Sequence, residues 1–381
     1  MNRLAYVDGL RGIFAIAVAI MHLNKTLIVP GAYLAVDFFF VLSGFILTLV
    51  YLPRVNNMTL GDFAFARLSR LWPLHVFTML LYVTIYTLAV YLEKDILRFH
   101  PDWKGNDFRT FVENVFLIQS IGLQDTLTWN YPSWSISVEF FVNMALFLVL
   151  GGLLVRETKA KTLVLIGGVI AFCMVVLNHN LSYLDSQKAI VTQWAFVLNA
   201  GLLRGFAGIF LGVFVALIVK FWDGRSELRL SPFTLVAKST LETALLGTLF
   251  FIIMFKYKTE LDFIAIYLFG TLLVLLSVGR ISPLRWVLSL KPFTFLGMIS
   301  YGVYLGHAPL LQFFKRWDKI IGEGWGEWAI AGVFICAVIA TATLLHYFVE
   351  LPAQRACRRF WKEAKEKRKS ASTQISETNA R

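Results

Sequence analysis

Charge is what this sequence has least of: 16% of its 381 residues are Asp, Glu, Lys or Arg, where a soluble domain carries about a quarter. With 57% hydrophobic residues and a mean hydropathy of +0.66, no soluble domain of useful size remains once the apolar runs are removed. Cysteine is scarce too. Cys173, Cys336 and Cys357 lie far apart without metal-ligand spacing, so neither a disulfide framework nor a zinc site is indicated and no metal is expected. There is no glycine-rich phosphate loop of Walker or Rossmann type and no short fixed-period repeat. The basic N-terminal flank is followed by no convincing small-residue cleavage site, so the first apolar run reads as a retained helix and not a signal peptide.

What the sequence does have is a succession of apolar runs close to the ~20 residues that cross ~30 Å of hydrocarbon. They predict an all-α polytopic membrane protein of about ten transmembrane helices, at 12–30, 33–53, 71–92, 132–154, 162–178, 204–219, 234–255, 263–279, 293–313 and 328–349. The even number returns both termini to one side. The formal charge of +12 raises nucleic acid as a partner, but the basic residues sit between spans and in the tail, as the positive-inside rule requires, and that reading is set aside. Arg54, Arg67, Arg70, Arg156, Lys159, Lys161, Lys220, Arg225, Arg229, Arg280, Arg285 and Lys291 fall in the segments assigned to the cytoplasm. The opposite loops, 93–131, 179–203, 256–262 and 314–327, offset their basic residues with carboxylates such as Glu93, Asp95, Asp102, Glu260 and Glu323. Residues 1–352 thus form a transmembrane domain and 353–381 a basic, partly disordered cytoplasmic tail, structureless over 370–381. Within the long loop, 111–124 (FVENVFLIQSIGLQ) has the pattern of an amphipathic interfacial helix over an acceptor site.

An ionisable side chain inside a span costs about 2.5 to 3.5 kcal/mol on insertion scales and faces protein or water, which makes such residues functional candidates. Arg11 and His22 share the first helix, about 16 Å apart along its axis at ~1.5 Å per residue. With Arg11 at the inner boundary, His22 lies near mid-membrane and suits a general base. Packing against a backbone carbonyl is the competing role. Asp37 and Glu139 head inward from the outer side, and either carboxylate is placed to steady a protonated His22, or simply to bond between helices. Arg67 and Arg70 are three apart and share a helix face, an arrangement suited to phosphates on a donor or on lipid headgroups. Ser43, Gly44 and Phe45 form a small-residue break that packing explains as well as catalysis. Arg204 and His307 are candidate acceptor ligands on the outer side, and Glu350 sits at the inner boundary in a basic network.

Taken in order, YVDGLRGIFAIAVAIMH, AVDFFFVLSGFILT, FARLSRLWPLH, WSISVEFF, RGFAGIFLG, ISYGVYLGHAPL and VELP resemble the membrane-bound acyltransferase-3 family across nearly the whole chain. The resemblance implies a bacterial inner-membrane O-acyltransferase, with acetyl as the expected group by family frequency alone. It would carry the acyl group from cytoplasmic acyl-CoA to a hydroxyl of an extracytoplasmic carbohydrate or lipid-linked glycan. It maps the family's Arg-and-His motif to Arg11 and His22, its paired arginines to Arg67 and Arg70, and its Ser-Gly-Phe motif to Ser43, Gly44 and Phe45. Glu139 falls in the Trp-Ser-x-Ser-x-Glu pattern with Trp134, Ser135 and Ser137. The expected catalytic set is therefore His22, Glu139 and Asp37. Arg11, Arg67, Arg70 and Ser43 are expected on the donor, and Arg204, His307 and Trp134 on the acceptor. Only the short tail follows Glu350, so transfer is expected to be completed by the membrane module or by a separate extracytoplasmic partner. A transient acyl-histidine remains open beside direct transfer. The rival class is a transporter or flippase for a glycan or acyl donor.

Overall fold

The computed structural model describes residues 4–23, 29–91, 105–185, 190–191, 198–223, 232–255, 259–278, 282–321 and 327–379. Each expected span falls on a helix: α1 (Ala5–Leu23), α2 (Ala35–Tyr51), α3 (Leu60–Tyr91), α5 (Trp134–Leu154), α6 (Lys159–Asn180), α7 (Ala200–Asp223), α8 (Pro232–Phe255), α9 (Leu261–Ser277), α11 (Lys291–Ile321) and α12 (Glu327–Leu345). Two short helices, α4 (Phe108–Val115) and α10 (Pro283–Leu288), and a C-terminal α13 (Leu351–Asn379) complete the described elements. Among the described residues eight helices, α1, α2, α3, α5, α6, α7, α8 and α12, are long and apolar enough to cross a membrane, and α9 is a shorter apolar helix. The protein is an all-α polytopic membrane protein.

Burial separates the middle of the bundle from its edge. The apolar windows of α2 and α7 are 72% buried, whereas those of α6, α8 and α12 are 28% buried and show their apolar side chains outward, as lipid-facing helices do. Glycine sets the closest contacts. A Cβ at Gly44 would collide with the carbonyl of Ile209, and one at Gly212 with that of Val41, so α2 and α7 pack backbone to backbone. Gly12 and Gly297 do the same for α1 and α11. These two pairs make the most extensive helix interfaces and bring Ser43 and His22 toward the middle of the bundle.

The inner end, defined by the basic segments, holds the start of α1 and of α13 together. Arg70 pairs with the buried Glu350 at 3.2 Å, and Arg11 lines the same cavity as Arg70. A π-helical segment, His346–Glu350, joins α12 to α13, its i→i+5 bond running from the Leu351 N–H to the His346 carbonyl. Pro352 follows, without an N–H to continue the α pattern. Glu350 also takes His346 Nδ1 at 2.8 Å and Gln354 Nε2 at 3.1 Å, which bears out its place in a basic network. Trp361 stacks on Phe65, donates to Asp62 at 3.0 Å, and Lys365 pairs with the same carboxylate at 2.5 Å, docking α13 along the start of α3.

The structure moves three boundaries. The first helix starts at Ala5 and not at 12, because Arg11 is an internal residue held by Asp8 at 3.3 Å and turned into a cavity. A charge that faces a cavity does not end a helix. For the same reason α3 begins at Leu60 and not at 71, with Arg67 and Arg70 inside it. The tail is helical to Asn379, where 370–381 is expected to lack structure. Lys, Glu, Ala and Arg in that helix are good helix formers, and Lys362 and Glu366 stand as an i, i+4 pair. Residues 24–28, 92–104, 186–189, 192–197, 224–231, 256–258, 279–281 and 322–326 lie outside the described residues, and with them Glu93, Asp95, Asp102, Arg225, Arg229, Arg280 and Glu323.

Candidate functional site

Two cavities occupy the middle of the bundle. The inner one encloses about 280 Å³ and is lined by Arg11, Arg67 and Arg70 together with Ser43, Glu139 and Tyr301. The outer one is about 40 Å³ and holds His22, Tyr131, Trp134 and Arg204.

In the inner cavity the i, i+3 spacing on α3 sets Arg67 and Arg70 side by side, as the sequence predicts. Arg67 Nη2 donates to Glu139 at 2.7 Å and Ser43 Oγ donates to the same oxygen at 2.7 Å. Glu139 therefore anchors an arginine and a serine at the inner cavity. It is not brought to His22 by any of these bonds, and its expected role as partner of the base is corrected to a brace within the arginine cluster. Nε of Arg67 is buried without a partner, which leaves a donor for an anion in the cavity. Arg70 also has Glu350 at 3.2 Å and Arg11 has Asp8 at 3.3 Å, so the cavity gathers three guanidinium groups, each with one carboxylate contact and with N–H donors left beyond it.

In the outer pocket Asp37 and Arg204 form a bidentate pair at 3.0 and 2.6 Å, both buried. The third donor, Nη1, goes to the Leu184 carbonyl at 3.1 Å, and the guanidinium carbon lies 5.3 Å from the Trp134 ring. Asp37 thus has both oxygens on Arg204, and the expectation that it steadies His22 is corrected. A buried charge is tolerated only with a partner, and in an apolar bundle the guanidinium is the stronger claim. Arg204, expected as an acceptor ligand, is committed to that pair while its residue still lines the pocket. Behind it, the Tyr33 hydroxyl shares its one proton between both oxygens of Asp262, each at 2.8 Å, and the Leu184 N–H donates to the same carboxylate at 2.9 Å, so the pocket floor is fixed.

His22 meets His307. The rings stack with centroids 5.0 Å apart, and His307 Nε2 is 3.2 Å from His22 Nδ1. His307 Nδ1 lies 3.1 Å from the Val303 carbonyl, which only accepts, so that nitrogen carries the proton and Nε2 is an acceptor. His22 Nδ1 then faces two acceptors, His307 Nε2 and the Val18 carbonyl at 2.9 Å, and must be its N–H. The network assigns the lone pair of neutral His22 to Nε2. Where a carboxylate is expected beside His22 the structure has a second histidine, His307, itself expected as an acceptor ligand.

The outer loop closes this pocket. Asp107 caps α4 in a capping box with Thr110, and the Thr110 N–H holds the Asp107 carboxyl below the usual carboxylate range. Only 108–115 is helical. Leu117, at φ 59°, breaks the amphipathic helix expected over 111–124, and Trp129, at φ 50°, is a second non-glycine residue in the left-handed region. Leu117 is held through its carbonyl by the Ser137 hydroxyl and Trp129 by its N–H to Asn106 at 2.7 Å, in a loop tied by Asn114 to Thr128 at 2.8 Å and Asn130 to the Leu305 carbonyl at 3.1 Å. The loop delivers Tyr131, whose ring centroid is 5.1 Å from that of His22.

Sequence reasoning missed Tyr304, Tyr131 and Tyr301. Tyr304 stands one helical turn before His307 in the same quoted motif, and that i, i+3 spacing was the available signal.

A family model described as an acyltransferase domain matches residues 4–347. Among curated proteins, peptidoglycan O-acetyltransferase OatA of Listeria monocytogenes is 29% identical over 331 residues, 80% of this chain and 49% of the relative. The putative peptidoglycan O-acetyltransferase YrhL of Bacillus subtilis is 24% identical, covering 91% of this chain and 54% of its own length. A putative O-acetyltransferase of Staphylococcus aureus is 23% identical, covering 93% of this chain and 58% of its own length. The chain spans about half the length of the curated relatives it matches. No solved structure matches it. The family match removes the grounds for the transporter alternative, and the chain belongs to the acyltransferase-3 family, with residues 4–347 as its acyltransferase domain.

Proposed function

We propose that the chain is a transmembrane O-acyltransferase of a bacterial inner membrane, specifically an O-acetyltransferase. It takes the acyl group of acyl-CoA at the inner end and passes it to a hydroxyl of an extracytoplasmic carbohydrate or lipid-linked glycan. The relatives' names support acetyl as the group and peptidoglycan as the kind of acceptor. The observation that carries the reading is the pairing of an inner cavity lined by three arginines with an oriented imidazole in a small outer pocket of the same bundle.

Arg11, Arg67 and Arg70 bind donor phosphates, with the partnerless Nε of Arg67 as one of the donors. Ser43 and Glu139 keep Arg67 in place. The bound donor supplies a thioester carbonyl. His22 Nε2 takes the proton of the acceptor hydroxyl as the new C–O bond forms, and returns it to the departing thiolate as the C–S bond breaks. His307 accepts from Nδ1 throughout and stabilises the imidazolium. Arg204 and Trp134 shape the acceptor side of the pocket, with Asp37 holding Arg204. Peripheral lipids surround the module, and a separate extracytoplasmic protein is a further partner under this reading.

The test is transfer of label from acetyl-CoA to an envelope glycan pool by membranes carrying wild type or His22→Ala at matched protein levels. Wild type is expected to label the glycan, and His22→Ala to fall by about a hundred- to ten-thousand-fold. Equal labelling by the variant removes His22 from the chemistry. No labelling by wild type overturns acetyl-CoA as donor.

A further inference from the structure

The inner and outer cavities have one lining residue in common, Tyr304. Its hydroxyl is 2.8 Å from Ser135 Oγ and donates to the Pro132 carbonyl at 2.9 Å. Ser135 lines the inner cavity and Pro132 the outer, so the phenol is latched across the seam between them. On one side the ring meets Phe39, which lines the inner cavity, with centroids 6.0 Å apart. On the other it meets His307, the partner of His22, at 6.2 Å. Tyr304 is 7% exposed and lies on α11, one turn before His307.

Among the lining residues Tyr304 thus stands between the arginines of the inner cavity and the histidine of the outer one. We propose that Tyr304 is the specificity-determining partition between the two cavities: its hydroxyl latch sets when an acyl group passes toward His22, and its ring sets how large that group is. The inference rests on the donor and acceptor assignment above. The physical basis is the size difference. About 280 Å³ lies on the arginine side and about 40 Å³ on the histidine side, so the ring, and not the inner cavity, limits chain length. Release of the latch breaks two hydrogen bonds of a buried phenol, which keeps the open state rare. The same partition keeps water in the wider cavity away from the thioester once it stands at His22.

The first arm reads passage without any chemistry of transfer. In a full-length protein with Cys173, Cys336 and Cys357 replaced by Ala, Val36→Cys places one thiol on the outer pocket wall. Inside-out vesicles are treated with membrane-impermeant sulfonatoethyl methanethiosulfonate, an anion the arginine cavity attracts. Tyr304→Ala is expected to raise the labelling rate about tenfold, equivalent to a barrier lower by about 1.4 kcal/mol, and Tyr304→Phe, which keeps the ring and loses the latch, by about threefold. The second arm measures butyryl against acetyl transfer from the CoA esters by the protein with Val36 intact. The butyryl-to-acetyl ratio is expected to rise about tenfold in Tyr304→Ala. Equal labelling in all three proteins, or an unchanged ratio, overturns the proposal. If Tyr304→Ala fails to run as a single species on detergent gel filtration, the Tyr304→Phe labelling rate decides alone. Absence of transfer from every ester by wild type sinks the acyl-CoA reading and leaves the labelling result to decide the partition.

Discussion

In the inner cavity Arg11, Arg67 and Arg70 each meet one carboxylate, of Asp8, Glu139 and Glu350, and Arg67 keeps a partnerless Nε, whereas in the outer pocket the guanidinium of Arg204 is held by both oxygens of Asp37 and by the Leu184 carbonyl, beside two stacked imidazoles. The first arrangement leaves N–H donors for an anion, as donor binding under the proposed function requires. The second leaves few donors free, and under the proposed function the imidazolium that forms at His22 keeps an acceptor, His307 Nε2, on its Nδ1–H. Guanidinium donors are left over in the inner cavity and committed in the outer pocket.

The most severe way to break the comparison is to unbalance the outer pocket. Arg204→Leu leaves Asp37 as a buried carboxylate with no cation, a loss of about 3 to 5 kcal/mol in stability. Thermal unfolding in detergent is expected to show the single variant far below wild type and the Asp37→Leu, Arg204→Leu double variant recovering most of the difference. A double variant no better than the single one means that Arg204 contributes through Trp134 and Leu184 and not through its charge.

A milder change sharpens the contrast from the inner side. Arg70 is partly open at the cavity mouth and has Glu350 on one nitrogen. Arg70→Lys keeps the charge and loses the planar fork, so KM for the acyl-CoA donor is expected to rise about tenfold with kcat nearly unchanged. A fall in kcat at constant KM would move Arg70 from donor binding to the reacting centre.

The same contrast explains what was legible in the sequence. Every expected span falls on a helix because a run of about twenty apolar residues has few other uses. Arg11, Arg67, Arg70, Ser43 and Glu139 meet in one cavity because ionisable residues survive in spans only beside protein or water. The cavity also explains the misplaced starts of α1 and α3. Hydropathy reads Arg11 and Arg67 as the edge of the membrane, although a helix passes through them. Pairing was not legible. Asp37 and Arg204 are 167 residues apart, and His22 and His307 are 285 apart, so no local pattern joins them. The close α2–α7 approach at Gly44 and Gly212 and the α1–α11 approach at Gly12 and Gly297 make those partners neighbours, and helix faces decide them only after the bundle has formed.

The smallest expected effect lies at the cap over the outer pocket. The Thr110 N–H, and after it the Thr110 hydroxyl, hold the Asp107 carboxyl below its ordinary value, so folding of α4 favours the ionised form. A carboxyl depressed in the folded state contributes stability that is full above the unfolded value of about 3.9 and is lost as pH falls through the lower folded value. Amide exchange at α4, corrected for intrinsic rates, is therefore expected to lose protection only below about pH 4, by about fivefold. Asp107→Ala should lose that protection at neutral pH and show no further acid step. Because Trp129 is pinned through Asn106 and Thr110, a loosened α4 frees the turn that carries Tyr131 to His22, while the arginine cavity has no part in it. Acid opening is then expected in the outer pocket alone. Equal loss of protection in α3 around Arg67 and Arg70 would mean that the two cavities open as one unit and that the division between them is not mechanical.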